Sequence, residues 1–294
     1  MQFEPAAGII APVRDFDEFF PANFRMNIYR GCNHGCIYCD SRSECYRLDD
    51  FGRVRGKANS SEIIDRELSS KRKSGVVTTG SMTDPYNSFE AEYKLTRTAL
   101  ELLDRHSFGV GIITKSALVA RDAYLLYRIA EHSPAYVTFS ITCASDELSR
   151  RIEPSAPPTS ARLAAMKTLS DAGVVCGVWL NPVLPYITDD EENITEIVRL
   201  CAANGVKYVI CFYGMTLRAG SREYYYAALD RAFPGVKEQY IAQFGNAYEI
   251  ASPRARELMR AFEGVCRECG LPTTFAGIRR SIYDAVRLEQ MRLL

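Results

Sequence analysis

The sequence predicts an α/β fold, a partial (β/α)6 TIM-like barrel followed by a helical C-terminal extension. Six short apolar segments alternate with helical patterns between residues 24 and 215. The apolar runs are continuous, as in parallel strands covered on both faces, and several helices end in glycine just before the next strand. No G-x-G-x-x-G turn follows the first strand, which favours a barrel over a doubly wound sheet.

The predicted elements follow one another as strand and helix. The strands are FRMNIYR (24–30), GVVTTG (75–80), FGVGIITK (108–115), AYVTFSIT (135–142), VVCGVWLNP (174–182) and VKYVICFYG (206–214). The helices between them cover 61–73, 92–106, 120–132, 158–173 and 189–205. Residues 1–23 form an N-terminal extension, and residues 216–294, where the alternation stops, form helices packed on the core.

Composition limits the possible functions of the chain. The 294 residues are 47% apolar and 24% charged, which predicts a large core and no disorder. Lys+Arg and Asp+Glu both number 36, so zero net charge argues against bulk attraction to nucleic acid or membrane. No export signal and no membrane-spanning run is evident, so we expect a soluble, cytoplasmic protein with reduced cysteines.

Three cysteines lie close together directly after the first predicted strand. Cys32, Cys36 and Cys39 have the spacing C-x3-C-x2-C in RGCNHGCIYC. A zinc site would need a fourth ligand, which Cys45 or His34 can supply. A redox pair needs only C-x2-C and leaves Cys32 unexplained. The third interpretation is a [4Fe–4S] cluster held by three thiolates, with one iron open.

This motif, with an aromatic residue before its last cysteine, resembles the signature of the radical S-adenosylmethionine enzymes. The resemblance implies that Cys32, Cys36 and Cys39 bind a [4Fe–4S] cluster whose open iron chelates S-adenosylmethionine. It further implies one-electron cleavage of that cofactor to a 5′-deoxyadenosyl radical, which abstracts hydrogen from a substrate. The family's fold is a partial (β/α)6 barrel with the motif after the first strand. Such chemistry requires an electron donor, for which we expect a flavodoxin or ferredoxin.

Two further segments, TDPY…ITKSALVxRD and SITCASDELSRRIEP, resemble the branch of the family named after spore photoproduct lyase. This resemblance covers about residues 24 to 215. It implies that Lys115, at a strand end, binds the carboxylate of S-adenosylmethionine. It also implies that four more residues line the cofactor pocket near the amino group and the adenine: Tyr38, Thr83, Asp84 and Ser140.

Most of these residues also have a structural interpretation. Tyr38 can be a core aromatic, and Asp84 with Pro85 can simply begin a turn. A strand-end lysine such as Lys115 commonly extends to solvent. Arg151 and Glu153 can form an ion pair at the barrel mouth or contact ribose hydroxyls, but we favour the interpretation that they only hold their loop in place.

The sequence departs from true spore photoproduct lyases at two positions. Met82 stands where those enzymes carry a hydrogen-donating cysteine, and Asp40 stands where they carry a tyrosine. Repair of a nucleic-acid photoproduct is therefore the alternative rather than the expected reaction, and the substrate stays unknown. A zinc-stabilised, non-catalytic binding protein is the alternative from another class.

Other cysteines are secondary candidates. Cys143, after the fourth predicted strand, can donate hydrogen, carry a thiyl radical or hold substrate, although free cysteines are commonly buried as small apolar residues. Cys266 and Cys269 form a C-x2-C on a C-terminal helix, and without nearby partner cysteines we favour packing over an auxiliary cluster.

Overall fold

The structure, a computed structural model, describes residues 1–13, 20–48 and 50–284. Its strands are β1 (Gln2–Glu4), β2 (Ile10–Pro12), β3 (Phe24–Met26), β4 (Tyr29–Arg30), β5 (Arg55–Lys57), β6 (Val76–Thr79), β7 (Gly109–Thr114), β8 (Ala135–Ser140), β9 (Val175–Leu180), β10 (Tyr208–Cys211), β11 (Gly214–Thr216) and β12 (Glu249–Ala251). Its helices are α1 (Ser60–Ser69), α2 (Glu90–Tyr93), α3 (Leu95–Arg105), α4 (Ala123–Ala130), α5 (Asp146–Ile152), α6 (Thr159–Asp171), α7 (Glu191–Ala203), α8 (Ser221–Ala232), α9 (Val236–Phe244), α10 (Ala255–Glu268) and α11 (Phe275–Tyr283). Short 3-10 turns lie at Asp40–Arg42, Glu44–Tyr46 and Ala117–Asp122.

The central sheet has seven strands in the order β10-β9-β8-β7-β6-β3-β2. Within this sheet, each strand from β10 through β9, β8, β7 and β6 to β3 is parallel to its neighbour. Ile112 of β7, for example, pairs with Val137 of β8, and Val137 pairs with Cys176 of β9. Six parallel strands alternating with helices confirm the predicted α/β core. Across the described residues the sheet is open, with β2 and β10 as its edges, as a partial barrel requires.

Apolar side chains explain why these elements pack as they do. Every residue of β8 is buried, as expected for a central parallel strand with helices on both faces. Helix α10 buries Leu258, Phe262 and Val265, which recur at helical spacing on one face, and it packs against α7. The sheet therefore holds its strand ends, and the loops that follow them, in fixed positions.

The structure corrects two predictions near the cysteine motif. The predicted first strand, 24–30, is too long: Phe24–Met26 pairs in the central sheet, whereas Tyr29–Arg30 pairs with β5 in a separate sheet of order β1-β5-β4. The polar segment after the motif, SRSECYRLDDFGRVRGKANS (41–60), is expected from its sequence to be an irregular loop, but the structure has β5 and 3-10 turns in it. Strands of two or three residues, here with sequences such as Arg-Gly-Lys, carry no apolar periodicity that the sequence could reveal.

The C-terminal extension contributes more than helices. Strands β11 and β12 pair in antiparallel fashion, with Met215 opposite Ile250, and β11 spans the residue where the sequence places the start of the extension. Ser252 donates a hydrogen bond of 2.6 Å to the Asp189 carboxylate, which ties this region to the core. Residues 14–19 and 285–294 of the predicted extensions lie outside the described residues. None of the helices in the described part of the chain has the length and apolar character that crossing a bilayer requires.

Candidate active site

The three motif cysteines lie on a loop that is clamped between two neighbouring segments. The Cys32 N–H donates to the Phe51 carbonyl at 2.9 Å, and the Ile37 N–H donates to the Ile152 carbonyl at the end of α5, also at 2.9 Å. Gly31 has φ +81°, and a Cβ atom there would lie 2.7 Å from the Phe51 oxygen. A glycine is therefore required where the loop begins.

The environment of the thiols suits a metal cluster better than free thiolates. Burial, followed by the charge of Asp84, raises the pKa of Cys32 to about 11, although the N–H groups of His34 and Asp84 hydrogen bond to its sulfur and oppose the rise. Burial also raises the pKa of Cys36, and Lys115 opposes that rise. The charge of Cys39 adds to the rise of both pKa values. Binding of iron would stabilise thiolates that otherwise stay protonated.

Three thiols on one loop are the donor set that a [4Fe–4S] cluster with one open iron takes. Within the described ranges, no group of three or more His, Cys, Asp or Glu side chains is arranged to hold one metal ion. Zinc needs four ligands that converge on one point. In a cluster each thiolate binds a different iron, so the cysteines can lie farther apart, and N–H donors to their sulfurs tune the cluster. Cys32, Cys36 and Cys39 are the residues that can hold it.

A cavity of about 880 Å³ opens beside Cys39 at the carboxyl ends of the parallel strands. Gly80 lines the cavity, and a glycine is required there because its φ is +102° and a Cβ atom would lie 1.9 Å from the Ile113 carbonyl oxygen of the neighbouring strand. Strands β11 and β12 form the opposite wall through Thr216, Glu249 and their neighbours. The polar and charged side chains that line the cavity are Tyr38, Asp40, Ser41, Ser81, Lys115, Ser140, Asn181, Tyr213, Thr216 and Glu249.

Lys115 lies in this cavity wall, at the end of β7, as the sequence indicates. Its Nζ is 4.0 Å from Glu153 Oε1 and 5.6 Å from the centre of the Tyr38 ring. Burial lowers the pKa of Lys115, but Cys36 and Glu153 raise it, and the net pKa lies above the usual value. The ammonium is therefore retained beside the cysteine loop, where it can bind an anionic group.

Glu153 is buried behind Tyr38 and Lys115 and is paired with Arg162. Its Oε1 accepts hydrogen bonds from the Tyr38 hydroxyl and from Thr142 Oγ1 (3.0 Å), and its Oε2 accepts one from Arg162. Burial would raise the pKa of Glu153, but the charges of Arg162 and then Lys115 hold it below its usual range. Burial, followed by the charge of Glu153, also raises the pKa of the Tyr38 hydroxyl.

Of the alternatives for Arg151 and Glu153, the ion pair between the two side chains is not formed. Arg151 instead donates to the Ala232 carbonyl at 2.5 Å and stacks on the Phe233 ring at 4.2 Å. Arg151 and Glu153 are only two positions apart at the end of α5, so their side chains point in different directions. The turn after α5 brings Arg162 of α6 to the carboxylate instead. The alternative that Glu153 only holds its loop in place leaves out its contacts with Tyr38 and Lys115.

Asp84 lies outside the cavity wall and binds the protein itself. Its Oδ1 accepts from Thr114 Oγ1 at 2.7 Å, and its Oδ2 accepts from the Lys115 N–H at 2.7 Å and lies 3.1 Å from His34 Nε2. Burial would raise the pKa of Asp84, but His34 and these hydrogen bonds lower it to about 2. Asp84 thereby joins the cysteine loop to the end of β7. Thr83 beside it is buried too.

Ser140 is the last residue of β8 and Cys143 lies three positions after it, but the two side chains have different surroundings. Ser140 lines the cavity, and its carbonyl accepts a hydrogen bond of 2.8 Å from Arg162. Cys143 is 1% exposed, contacts the Ser145 carbonyl at 3.5 Å and packs in an apolar cluster with Cys36 and Tyr38. Burial, followed by the charge of Glu153, raises the pKa of Cys143 to about 12. Cys143 is thus behind the cavity wall, where its thiol is neutral.

The remaining cysteines do not join this site. Cys266 is buried in the core beneath α10, and Cys269 packs against the same core. Cys45 is exposed and lies 3.2 Å from Arg218. Sequence reasoning missed Arg162 as the partner of Glu153, and it missed the wall formed by β11 and β12. The signal in the sequence that points to this pair is the separation of only nine positions between Glu153 and Arg162.

Comparison with known proteins agrees with this geometry. Residues 26–201 match the model of the Radical SAM superfamily, and the chain belongs to this superfamily. An uncharacterized protein of Mycobacterium tuberculosis is 32% identical over 249 residues, which cover 82% of this chain and 72% of that protein. An uncharacterized protein of Methanocaldococcus jannaschii is 30% identical over 175 residues, which cover 60% of this chain and 66% of that protein.

Solved structures share the fold. A spore photoproduct lyase mutant with dinucleoside spore photoproduct aligns with a TM-score of 0.62 at 16% identity, covering 87% of this chain and 78% of that one. The radical S-adenosylmethionine methyltransferase TsrM from Kitasatospora setae, with cobalamin and a [4Fe–4S] cluster bound, aligns with a TM-score of 0.53 at 12% identity, covering 85% and 53%. At these identities the likeness concerns the fold.

Proposed function

We propose that the chain is a radical S-adenosylmethionine enzyme that binds a [4Fe–4S] cluster through Cys32, Cys36 and Cys39. When cluster and cofactor are bound, one-electron cleavage of S-adenosylmethionine supplies a 5′-deoxyadenosyl radical that takes hydrogen from the substrate, leaving methionine and 5′-deoxyadenosine. The observation that carries the proposal is the placement of Lys115 in the cavity wall beside the cysteine loop.

Five residues in or behind the cavity wall have defined roles in this proposal. Lys115 pairs with the cofactor carboxylate, which supplies the anionic partner that its ammonium otherwise finds only at 4.0 Å in Glu153. The Tyr38 ring and Ser140 line the cofactor space beside Cys39. Asp84 holds the cysteine loop and the Lys115 backbone, and with Thr83 it supports the amino end of the pocket from behind.

The far part of the cavity is where we place the substrate. Asp40, Thr216 and Glu249 line this part together with strands β11 and β12. At 880 Å³ the cavity has room for S-adenosylmethionine and a second small group. A flavodoxin or ferredoxin as electron donor belongs to the same proposal, since cleavage of the cofactor requires one electron. A cytoplasmic location belongs to it as well, because all ten cysteines are free thiols.

Photoproduct lyase activity is not part of the proposal. Met82, at the position of the lyases' hydrogen donor, is half-buried and has no transferable S–H hydrogen. Cys143 does not replace it, because it lies behind the cavity wall. The fold likeness to these lyases therefore leaves the substrate open.

The test is cofactor cleavage by reconstituted protein under anaerobic conditions. Protein loaded with iron and sulfide is reduced with dithionite and mixed with S-adenosylmethionine, and 5′-deoxyadenosine is measured by chromatography. We expect its formation by the wild type and not by Cys36→Ala. Absence of 5′-deoxyadenosine from fully loaded wild-type protein would refute the proposal.

A further inference from the structure

Glu153 has more partners than a residue that only secures a loop would need. It is 1% exposed, and both carboxylate oxygens are occupied, by Tyr38 and Thr142 on one side and by Arg162 on the other. Lys115 Nζ stands 4.0 Å from Oε1 as a further cationic neighbour. A buried carboxylate with such partners is held in one orientation.

Arg162 fixes Glu153 because it is itself fixed. It is fully buried, and its Nε and one Nη donate to the carbonyls of Pro157 and Ser140 at 2.8 Å each. Burying a charged pair brings little stability compared with apolar residues of similar volume, so stability alone does not account for this pair. Ser140 and Tyr38 both line the cavity, so the pair lies directly behind the wall that would face the cofactor.

We propose that Glu153 is a positioning residue that acts through Lys115. This inference rests on the proposed function, in which Lys115 binds the cofactor carboxylate. A free lysine side chain has many rotamers, and binding must restrict them. Glu153 from one side and the Tyr38 ring, 5.6 Å from Nζ, from another hold the ammonium before the cofactor arrives.

The charges of the group match a single anion. Arg162 and Lys115 carry two positive charges and Glu153 carries one negative charge, so one positive charge remains for a carboxylate. Glu153 attracts the Lys115 ammonium from 4.0 Å, which is longer than a direct hydrogen bond, so this ion pair uses none of the N–H donors of Lys115. The position of the carboxylate, and not only its charge, sets this balance.

The substitution Glu153→Asp separates the position of the carboxylate from its charge. It keeps the negative charge but moves the carboxylate away from Lys115 by about the length of one methylene group. The dissociation constant of S-adenosylmethionine is measured by equilibrium dialysis on cluster-loaded wild type, Glu153→Asp, Lys115→Met and the double variant. We expect Glu153→Asp to weaken binding about tenfold in the wild type and less than about twofold in the Lys115→Met background.

Glu90→Asp is the matched control. Glu90 is fully buried and accepts hydrogen bonds from a tyrosine, Tyr29 (2.6 Å), and an arginine, Arg121 (2.7 Å), but it does not line the cavity. The same shortening there should leave the dissociation constant unchanged. If Glu153→Asp does not fold, as judged by its thermal unfolding curve, Tyr38→Phe replaces it, with an expected loss of about threefold that also disappears in Lys115→Met.

The outcomes separate this inference from the proposed function. Wild-type protein that carries its cluster and binds no S-adenosylmethionine would overturn both. Wild-type binding that Glu153→Asp leaves unchanged would overturn the inference alone. So would an equal loss with and without Lys115, because Glu153 would then act on the cofactor by another route.

Discussion

Two buried glutamates of this protein have nearly the same partners and different consequences. Glu153 and Glu90 each accept a hydrogen bond from a tyrosine hydroxyl and one from an arginine. Glu90 uses its remaining capacity on the N–H groups of Thr96 and Arg97, at the start of α3. Glu153 instead faces Lys115 at the cavity.

The Glu90 region is a larger and more solvated network. Arg121 also pairs with Asp122 at 2.8 Å, and Arg97 binds the same carboxylate at 2.6 Å, while Tyr86 donates to it at 3.0 Å. Both arginines are partly exposed, whereas Arg162 is fully buried. Under the proposed function, the same set of residue types supports the fold at Glu90 and a cofactor-binding lysine at Glu153, and the difference lies in the further neighbour, which is backbone N–H groups for Glu90 and Lys115 for Glu153.

The largest expected difference between the two regions is in stability. Arg162→Met leaves Glu153 as a buried charge without its main partner, which should cost about 3–5 kcal/mol of unfolding free energy. Arg121→Met should cost about 1–2 kcal/mol, because Glu90 keeps two N–H donors and Asp122 keeps Arg97. Urea denaturation of the metal-free proteins measures both values, and equal losses would break the comparison.

The next effect concerns cofactor binding. Lys115→Met removes the proposed partner of the cofactor carboxylate, and we expect S-adenosylmethionine to bind about 30-fold more weakly, as for loss of a charge-assisted hydrogen bond. Arg97→Met removes a cation of the other network and should change the affinity less than about twofold. Equilibrium dialysis with cluster-loaded protein measures both, and similar effects of the two variants would contradict the assignment of Lys115.

Two tyrosine substitutions sharpen the comparison at a smaller scale. Tyr38→Phe and Tyr86→Phe each remove one hydroxyl that donates to a buried carboxylate. Each should lower the unfolding free energy by about 1–2 kcal/mol, since a hydrogen bond to a charged group is lost. Only Tyr38→Phe should also weaken cofactor binding. A loss of affinity in Tyr86→Phe would show that the two networks are not separate in function.

The smallest effect is expected for Cys143, which packs beside Tyr38 but not in the cavity. Cys143→Ala should lower the unfolding free energy by about 1 kcal/mol through the volume it removes. The rate of 5′-deoxyadenosine formation with dithionite should stay within about twofold of the wild type. Loss of that activity from a folded, cluster-loaded variant would show that Cys143 takes part in cofactor cleavage.

The sequence predicted the parts of this site that depend on local pattern. The alternation of apolar runs and helices locates six parallel strands, and the carboxyl ends of such strands meet at one edge. Lys115, Ser140 and the cysteine loop are found at that edge. Tyr38 is predicted as well, because it lies within the motif itself.

The rest depends on tertiary contacts that periodicity does not report. Arg162 has the pattern of an ordinary helix residue, and only the tertiary packing of α6 buries it beside Glu153 and the Ser140 carbonyl. Sequence spacing alone offers the nearer Arg151 as a partner. Strands β11 and β12 have three residues each and are more than 30 positions apart in sequence. The wall they form was therefore not predictable from local pattern.

The most direct test of the central claim is the metal content of anaerobically purified protein. Iron, sulfide and zinc are assayed in the wild type, in the Cys32/Cys36/Cys39→Ala variant and in a Cys266/Cys269→Ala control, with EPR of each reduced sample before and after addition of S-adenosylmethionine. We predict about four irons and four sulfides per chain in the wild type and the control, with an EPR signal that S-adenosylmethionine shifts, and neither in the triple variant. One zinc per chain and no EPR signal would contradict the account.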